Sequence, residues 1–282
     1  MDAISKPSKD EYRQLIVACA NDYTQARTEH RKQRILSSLD QLESFAARYD
    51  ELADSYSLET LGTHTHCGNA AKDDLVDLYD TKFVPEGRPG RETYMSIRQS
   101  APKNRCPLCS QLPVSTVDHY LPKSKYPAMA VYPRNLVPSC VRCNGYKLAK
   151  SDELTLHPYY DNIENIRWLK CVLIDGEAIS VEFDVWENVV PASLRQRMAS
   201  HLKNVGVGEL YQVSALSHLA DTRHRLCEIG NAGGAAAVHA HLLEELNSRR
   251  SYRLNSWGTA LYTALCTADW FIQGGYARIE HD

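Results

Sequence analysis

The stretch CPLCSQLPVSTVDHYLPKSKYPAMAVYPRNLVPSCVRCNGYK, residues 106–147, holds two C-x-x-C pairs. Cys106 and Cys109 form the first and Cys140 and Cys143 the second, with 30 residues between them. A C-x-x-C turn aims two thiolates at one point, and two such turns complete a tetrahedron. Soft thiolates select zinc, and a site closed by four cysteines leaves no open position for a substrate. A structural zinc is therefore expected at these four residues, supplying folding energy to a segment with little core of its own. The alternative, two unrelated redox or buried pairs, lacks a thioredoxin-like βαβ pattern around either pair.

Inside the loop that the cysteines close, STVDHYLP (115–122) alternates as a short strand and RNLVP (134–138) is its candidate partner. CVRCNGYKLAK (140–150) then starts a helix. Strand, long loop, strand, helix, with Asp-His on the first strand and Asn on the helix, resembles the HNH endonuclease family in its zinc-stapled form. Asp118 and His119 fit the family's catalytic pair, Asn135 its middle Asn, and Asn144 its final metal-binding position, with Lys147 one helical turn later. The resemblance covers about residues 100–160. It implies an inserted ββα-metal module, hydrolysis of DNA phosphodiester bonds and a divalent metal held by Asp118 and Asn144. His119 is then the general base, and Asn135 orients the base and braces the loop without touching metal. The arrangement also looks like HNH proteins encoded beside ATPases in bacterial anti-phage systems such as Septu, which implies a protein partner, an ATPase encoded nearby.

The chemistry is consistent with elementary requirements. A histidine titrating near neutrality can take a proton from water. Carboxylate and amide oxygens are hard donors suited to Mg²⁺ or Mn²⁺. One difficulty stands: consecutive strand residues point to opposite faces, so Asp118 and His119 cannot both face one site from an ideal strand. Lys123, Lys125, Arg134, Arg142, Lys147 and Lys150 are candidate phosphate contacts, which would set affinity and register but not sequence preference. Tyr126 and Tyr132 could stack on bases, but packing the loop is the simpler expectation. His157, in LTLHPYYD, is a candidate further metal or phosphate ligand, against the plainer reading of a buried histidine tying the loop down. THTHC (63–67, with His64, His66 and Cys67) is a weak second metal candidate for which an ordinary loop is preferred.

Charge singles out the same region. Between Lys82 and Lys150 there are 12 Lys and Arg against three acids, a balance of +9, while the remainder carries −12. One cationic face on an acidic body is expected. No apolar run is long enough for a membrane span, and the N-terminus MDAISKPSKDEYRQL lacks a signal-peptide core. A cytoplasmic location is the default expectation, in which paired cysteines point to metal before disulfides. No phosphate-binding G-x-x-x-x-G-K-[ST] loop and no G-x-S-x-G elbow occurs.

The expected fold class is α+β: a mainly helical protein with an inserted ββα-metal module. Residues 1–90 form an N-terminal helical region, with a helical hairpin over 9–55. Residues 91–160 form the nuclease module, opened by a short helix from 91 to 100. Residues 161–282 form a β-hairpin, turned at Asp175-Gly176, and helices over about 192–204, 208–229, 233–249 and 253–272. A metal-dependent DNA endonuclease is the leading functional reading. An RNA or tRNA endonuclease, and a non-catalytic zinc module binding nucleic acid or a protein partner, are the alternatives.

Overall fold

The computed structural model describes residues 1–149, 153–189 and 191–280, and the Lys150 expectation lies outside them. The chain divides into two compact units, Met1–Asp161 and Asn162–Asp282. Helices predominate, with three separate two-stranded antiparallel sheets among the described residues.

In the first unit, the expected helical hairpin over 9–55 is instead three helices: α1 (Tyr12–Asn21), α2 (Glu29–Leu36) and α3 (Leu39–Asp54). The second break falls at Ser37 and Ser38, and the hydroxyl of Ser38 explains it. It donates to the Arg34 carbonyl at 2.7 Å and accepts the backbone N–H groups of Asn69 and Ala70 at 2.9 and 3.0 Å. A serine that finds local backbone partners competes with helix continuation. Ser38 thereby anchors the short hairpin of β1 (His66–Cys67) and β2 (Ala70–Ala71). Ile16, Cys19, Ile35, Leu42, Ala46 and Tyr49 line the buried seam of the three helices.

Helix α4 (Lys72–Asp77) is started by Asp74, whose carboxylate accepts the Ala71 N–H at 3.0 Å and a bidentate pair of bonds from Arg34. It runs directly into a π-helical turn, Leu78–Phe83. Helix α5 (Arg91–Gln99) then packs against the second sheet.

That sheet pairs β3 (Thr116–His119) with β4 (Leu136–Ser139), with Asp118 opposite Val137 and His119 opposite Leu136. Helix α6 (Val141–Ala149) follows at once. The strand, loop, strand, helix order read from the sequence is thus present, although each strand is four residues long. The proline that follows Tyr132 starts a 3₁₀ turn, Pro133–Asn135, which delays β4 by two residues relative to the expected start at 134.

The long loop between β3 and β4 is held to α3 through one buried carboxylate. Asp50 accepts from the hydroxyls of Tyr132 and Tyr160 at 2.8 and 2.6 Å and from the Arg134 guanidinium at 2.6 Å. Arg134 also donates to the Pro7 carbonyl.

In the second unit, β5 (Leu169–Ile174) and β6 (Ser180–Val185) form the expected hairpin. Its connection spans residues 175–179, not a two-residue Asp-Gly turn. Helix α7 (Ala192–Asn204) leads into α8 (Val207–Tyr252), which is interrupted at Gly234 (φ +64°). His218 lies 3.4 Å from Arg249, a pair equidistant from residues 233 and 234, so α8 doubles back there as an antiparallel helical hairpin. The break therefore lies inside the glycine- and alanine-rich stretch that suggested it. The helix expected over 253–272 is two: α9 (Trp257–Leu265), capped by the Ser256 hydroxyl, and α10 (Asp269–Ile272). Asn255 ties the unit's first strand down, its Oδ1 accepting from the Trp168 and Leu169 amides.

Replacing Asp50 by Ala should leave the Arg134 cation and two tyrosine hydroxyls without their shared acceptor. Removing one partner of a buried ion pair costs about 3–5 kcal/mol. Denaturant unfolding followed on the first unit should show a loss of that order, and a change below about 1 kcal/mol would mean that the network is only a surface pair.

Candidate functional site

The four cysteines meet. The sulfurs of Cys106, Cys109, Cys140 and Cys143 all lie within 4.8 Å of one another, and all four residues are buried. Among the described residues this is the one group of three or more His, Cys, Asp or Glu side chains arranged to hold an ion. Two features shape it. Ser110 takes a left-handed backbone conformation (φ +59°) that closes the first turn, its N–H bonding to the Cys106 carbonyl at 2.8 Å. Backbone amides of Leu112 and Cys143 donate to the sulfurs of Cys109 and Cys140 at 3.5 and 3.4 Å. Such donors favour thiolate at Cys109 and Cys140. A zinc ion sits about 2.3 Å from each thiolate, a separation these sulfurs reach with sub-ångström adjustment. Four buried cysteines so placed can bind a structural metal such as zinc.

The residues singled out by sequence surround the C-terminal end of β3. The strand alternation expected of Asp118 and His119 holds: the two side chains turn to different neighbours. The Asp118 carboxylate faces α6, where the Lys147 ammonium donates to it at 2.9 Å and to the His119 carbonyl at 2.5 Å. The His119 ring faces the loop, its Nε2 lying 2.8 Å from the Ala130 carbonyl oxygen. A carbonyl only accepts, so Nε2 carries the hydrogen and Nδ1 keeps its lone pair. Burial pushes His119 down to about 4, against the smaller opposing effects of the Ala130 bond and the Asp118 charge. The imidazole is thus neutral at physiological pH.

Asn135 is fully buried and devoted to the loop. Its Oδ1 accepts from the Leu121 amide at 2.7 Å, and its Nδ2 donates to the carbonyls of Leu121 and Met129 at 3.0 and 3.1 Å. It makes no direct bond to His119; it fixes the residue preceding the carbonyl to which His119 donates. Asn144 is half-buried on α6. Lying three residues before Lys147, it shares the helix face that Lys147 turns toward Asp118.

Several expected contacts have other employment. His157 is fully buried, with Nδ1 accepting from the Tyr159 amide at 3.2 Å and Nε2 lying 2.8 Å from the Tyr49 hydroxyl. Both ring nitrogens are engaged by the protein, as expected of a histidine that ties the loop down. Arg134 is committed to Asp50 and Pro7, and Lys123 to Asp80. The positive excess of residues 82–150 is therefore partly balanced in space by acids from outside that stretch: Asp22 pairs with Lys82 and Arg88, Asp80 with Lys123 and Asp50 with Arg134. Arg91 with Glu86 and Lys147 with Asp118 pair within it. Arg142 lies over the Tyr146 ring at 4.6 Å, and Lys125 is half-buried in the loop, its carbonyl accepting the His64 amide. Tyr132 packs the loop, as expected, and Tyr126 lies edge-on to His64 at 6.1 Å. His64 is a loop anchor, its Nε2 accepting the Ala128 amide at 3.1 Å, while His66 is exposed.

One neighbour of the site was not legible. The Tyr79 ring, from the π-helical turn, packs against His119 with centroids 4.4 Å apart. It lies in DDLVDLYD, which carries no chemical motif and has no fixed spacing to the cysteine segment.

The protein as purified should hold about one zinc per chain. Cys109→Ser should bring that close to zero in elemental analysis and lower the thermal midpoint of the first unit. Independently, the buried neutral His119 makes stability pH-dependent. Between about 4 and 6.5 the unfolded chain binds a proton at this residue that the folded chain excludes, so this residue's contribution to stability rises with pH across that window. Comparing the parent with His119→Gln at pH 5 and pH 7 should show the parent losing more stability on acidification; equal losses would count against the burial.

No family model matches the chain, and no solved structure matches it. Among helices of the described residues, none is long and apolar enough to cross a membrane. Over 263 residues the chain is 29% identical to protein ea31 of Escherichia phage lambda, spanning 86% of this chain and 84% of that protein. Over 42 residues it is 50% identical to the Septu protein PtuB of Bacillus thuringiensis, covering 15% of this chain and 16% of that one. The chain is thus distantly similar to a phage protein along most of its length and, in one short segment, to a Septu protein.

Proposed function

We propose that β3, β4 and α6 carry an HNH-type ββα-metal nuclease site that hydrolyses phosphodiester bonds of DNA. The observation that supports it most is the state of His119: neutral, and held as one tautomer with Nδ1 as the acceptor. That is the form a general base must take before it meets its water.

Asp118 and Asn144 are the proposed holders of Mg²⁺ or Mn²⁺. Their oxygens are hard donors of the right class, and a bound ion would displace the Lys147 ammonium that now pairs with Asp118. When bound, such an ion would neutralise charge on the phosphate and the leaving oxygen. His119 Nδ1 takes a proton from a water whose oxygen attacks phosphorus. The opposite phosphorus–oxygen bond breaks, the leaving oxygen gains a proton from solvent, and His119 returns its own to solvent. Asn135 acts on this step through the loop, by fixing the segment that bears the Ala130 carbonyl. Lys125 and Arg142 are retained as phosphate contacts, together with Lys147 and Lys123, which must first leave Asp118 and Asp80. Arg134 and His157 are left out, since both are taken up by the fold.

The short match to the Septu protein, taken with the resemblance to HNH proteins encoded beside ATPases, supports a role in anti-phage defence with an ATPase partner that licenses cutting. DNA is preferred to RNA as substrate on the HNH resemblance alone. Incubating plasmid with Mg²⁺ or Mn²⁺, alone and with a co-encoded ATPase, tests the reading. His119→Ala should reduce cleavage by about 10²–10⁴-fold at unchanged zinc content, and Asp118→Ala should abolish the cleavage that divalent metal supports. Because His119 stays neutral to about pH 4, the acid limb of the rate should lie below the usual histidine range. Plasmid binding by parent and His119→Ala alike, with no cleavage by either under any of these conditions, would identify a zinc module that only binds. Preferential cutting of RNA would move the substrate class.

A further inference from the structure

We propose that the π-helical turn Leu78–Phe83, which lies outside the strand, loop, strand, helix segment, forms one wall of this site, with Tyr79 the positioning residue for His119. The proposal rests on the nuclease reading for its catalytic consequence, though not for its geometry.

A π turn accommodates one more residue than an α turn, is rarely stable alone and recurs at functional sites. Here it is built in from several sides. The Tyr23 hydroxyl donates to Asp77 at 2.6 Å at its start, and Thr81 donates to the Asp77 carbonyl at 2.9 Å. Lys82 is pinned by Asp22, with bonds of 3.0 Å to both its carbonyl and its carboxylate. The Gly90 amide closes on the Lys82 carbonyl at 3.1 Å. A Cβ at Gly90 would lie 2.6 Å from the Phe83 Cα, so only glycine permits the approach.

All this fixes one aromatic ring against the base. Tyr79 meets His119 at 4.4 Å between centroids and 63° between planes, and Phe83 stacks behind Tyr79 at 5.5 Å. The next residue, Asp80, pairs with Lys123, whose ammonium lies 4.8 Å from the centre of the same tyrosine ring. The Tyr79-Asp80 step thus places both a base and a cation.

The need for such a wall follows from the imidazole itself. The Ala130 bond fixes His119 only while Nε2 points at the carbonyl, and a half-turn about the Cβ–Cγ bond would swing the ring away from it. One hydrogen bond by itself does not prevent that rotation. A ring packed at 4.4 Å does, because the imidazole edge would have to pass through it. Tyr79 therefore keeps Nδ1 turned toward the position of the nucleophilic water. Its hydroxyl has no part in this, so phenylalanine should serve as well.

The test compares the parent with Tyr79→Phe and Tyr79→Met, the latter keeping volume without a ring. Long-range ¹H–¹⁵N correlation spectra report the His119 tautomer directly, and single-turnover cleavage separates the rate constant from DNA affinity. The parent should show one Nε2–H tautomer. Tyr79→Phe should match it in spectrum and within twofold in rate. Tyr79→Met should show averaged ring nitrogens and a rate constant lower by about tenfold, with DNA affinity and zinc content unchanged.

A mixed tautomer in the parent, a lost tautomer in Tyr79→Phe, or a Tyr79→Met protein with parent-like spectrum and rate would each overturn the proposal. Should Tyr79→Met fail to fold, the parent and Tyr79→Phe spectra still decide. A parent that never cleaves, yet shows the tautomer locked in a manner dependent on Tyr79, would remove the nuclease reading and leave the positioning role standing.

Discussion

The first unit must bury a loop. Residues 127–133 between β3 and β4 are all buried although none belongs to a strand, and a buried backbone polar group without a partner costs about as much as a lost hydrogen bond. The surrounding fold supplies those partners. The Ala128 amide donates to His64 and its carbonyl accepts from Tyr12. The Met129 carbonyl accepts from Asn135, and the Ala130 carbonyl from His119. Each partner comes from a different element, so the loop is the place where α1, the β1 segment and the second sheet are obliged to agree. The thiol cluster serves the same end, joining the turn ahead of β3 to the start of α6 so that two strands of four residues can frame the loop at all.

This constraint gives His119 two duties at once. The bond that satisfies Ala130 is also the bond that assigns the hydrogen to Nε2 and leaves Nδ1 as an acceptor. A histidine placed only for packing would be equally content with either nitrogen toward a partner able to both donate and accept, such as a hydroxyl. Facing a carbonyl, His119 has no such choice. Structure and proposed chemistry therefore draw on one interaction, and mutations that loosen the loop at Asn135 or Asp50 should be felt at the base even though neither residue touches it.

What the sequence revealed depended on whether a feature is carried by local spacing. The cysteine pairs, the strand around Asp118 and His119 and the helix after Cys140 are short-range patterns, and each appears close to where it was expected. The split of the first helical region into three was hidden, because the decisive contact, Ser38 with the amides of Asn69 and Ala70, spans some thirty residues. Arg134 and His157 looked available for the same reason: nothing local announces Asp50, 84 residues from Arg134, or Tyr49, 108 residues from His157. Tyr79 could not have been found, since an aromatic residue in a polar stretch becomes part of a site only through the tertiary placement of its turn.

Charge shows the same limit with larger functional weight. Lys82, Arg88, Arg91, Lys123, Arg134 and Lys147, half of the cations that made residues 82–150 look like a basic face, sit in ion pairs. A cation already paired gains less from a phosphate than a solvated one, because the existing acid must be displaced and left without a partner. It also adds little to the long-range field that steers nucleic acid toward a surface. Under the nuclease reading, the chain alone would then approach DNA with a weaker pull than its sequence suggests. Such restraint is what a site that cuts only in company requires: affinity contributed by a second protein would bring DNA to Asp118 and His119, where exchanging Lys147 and Lys123 from carboxylate to phosphate becomes favourable.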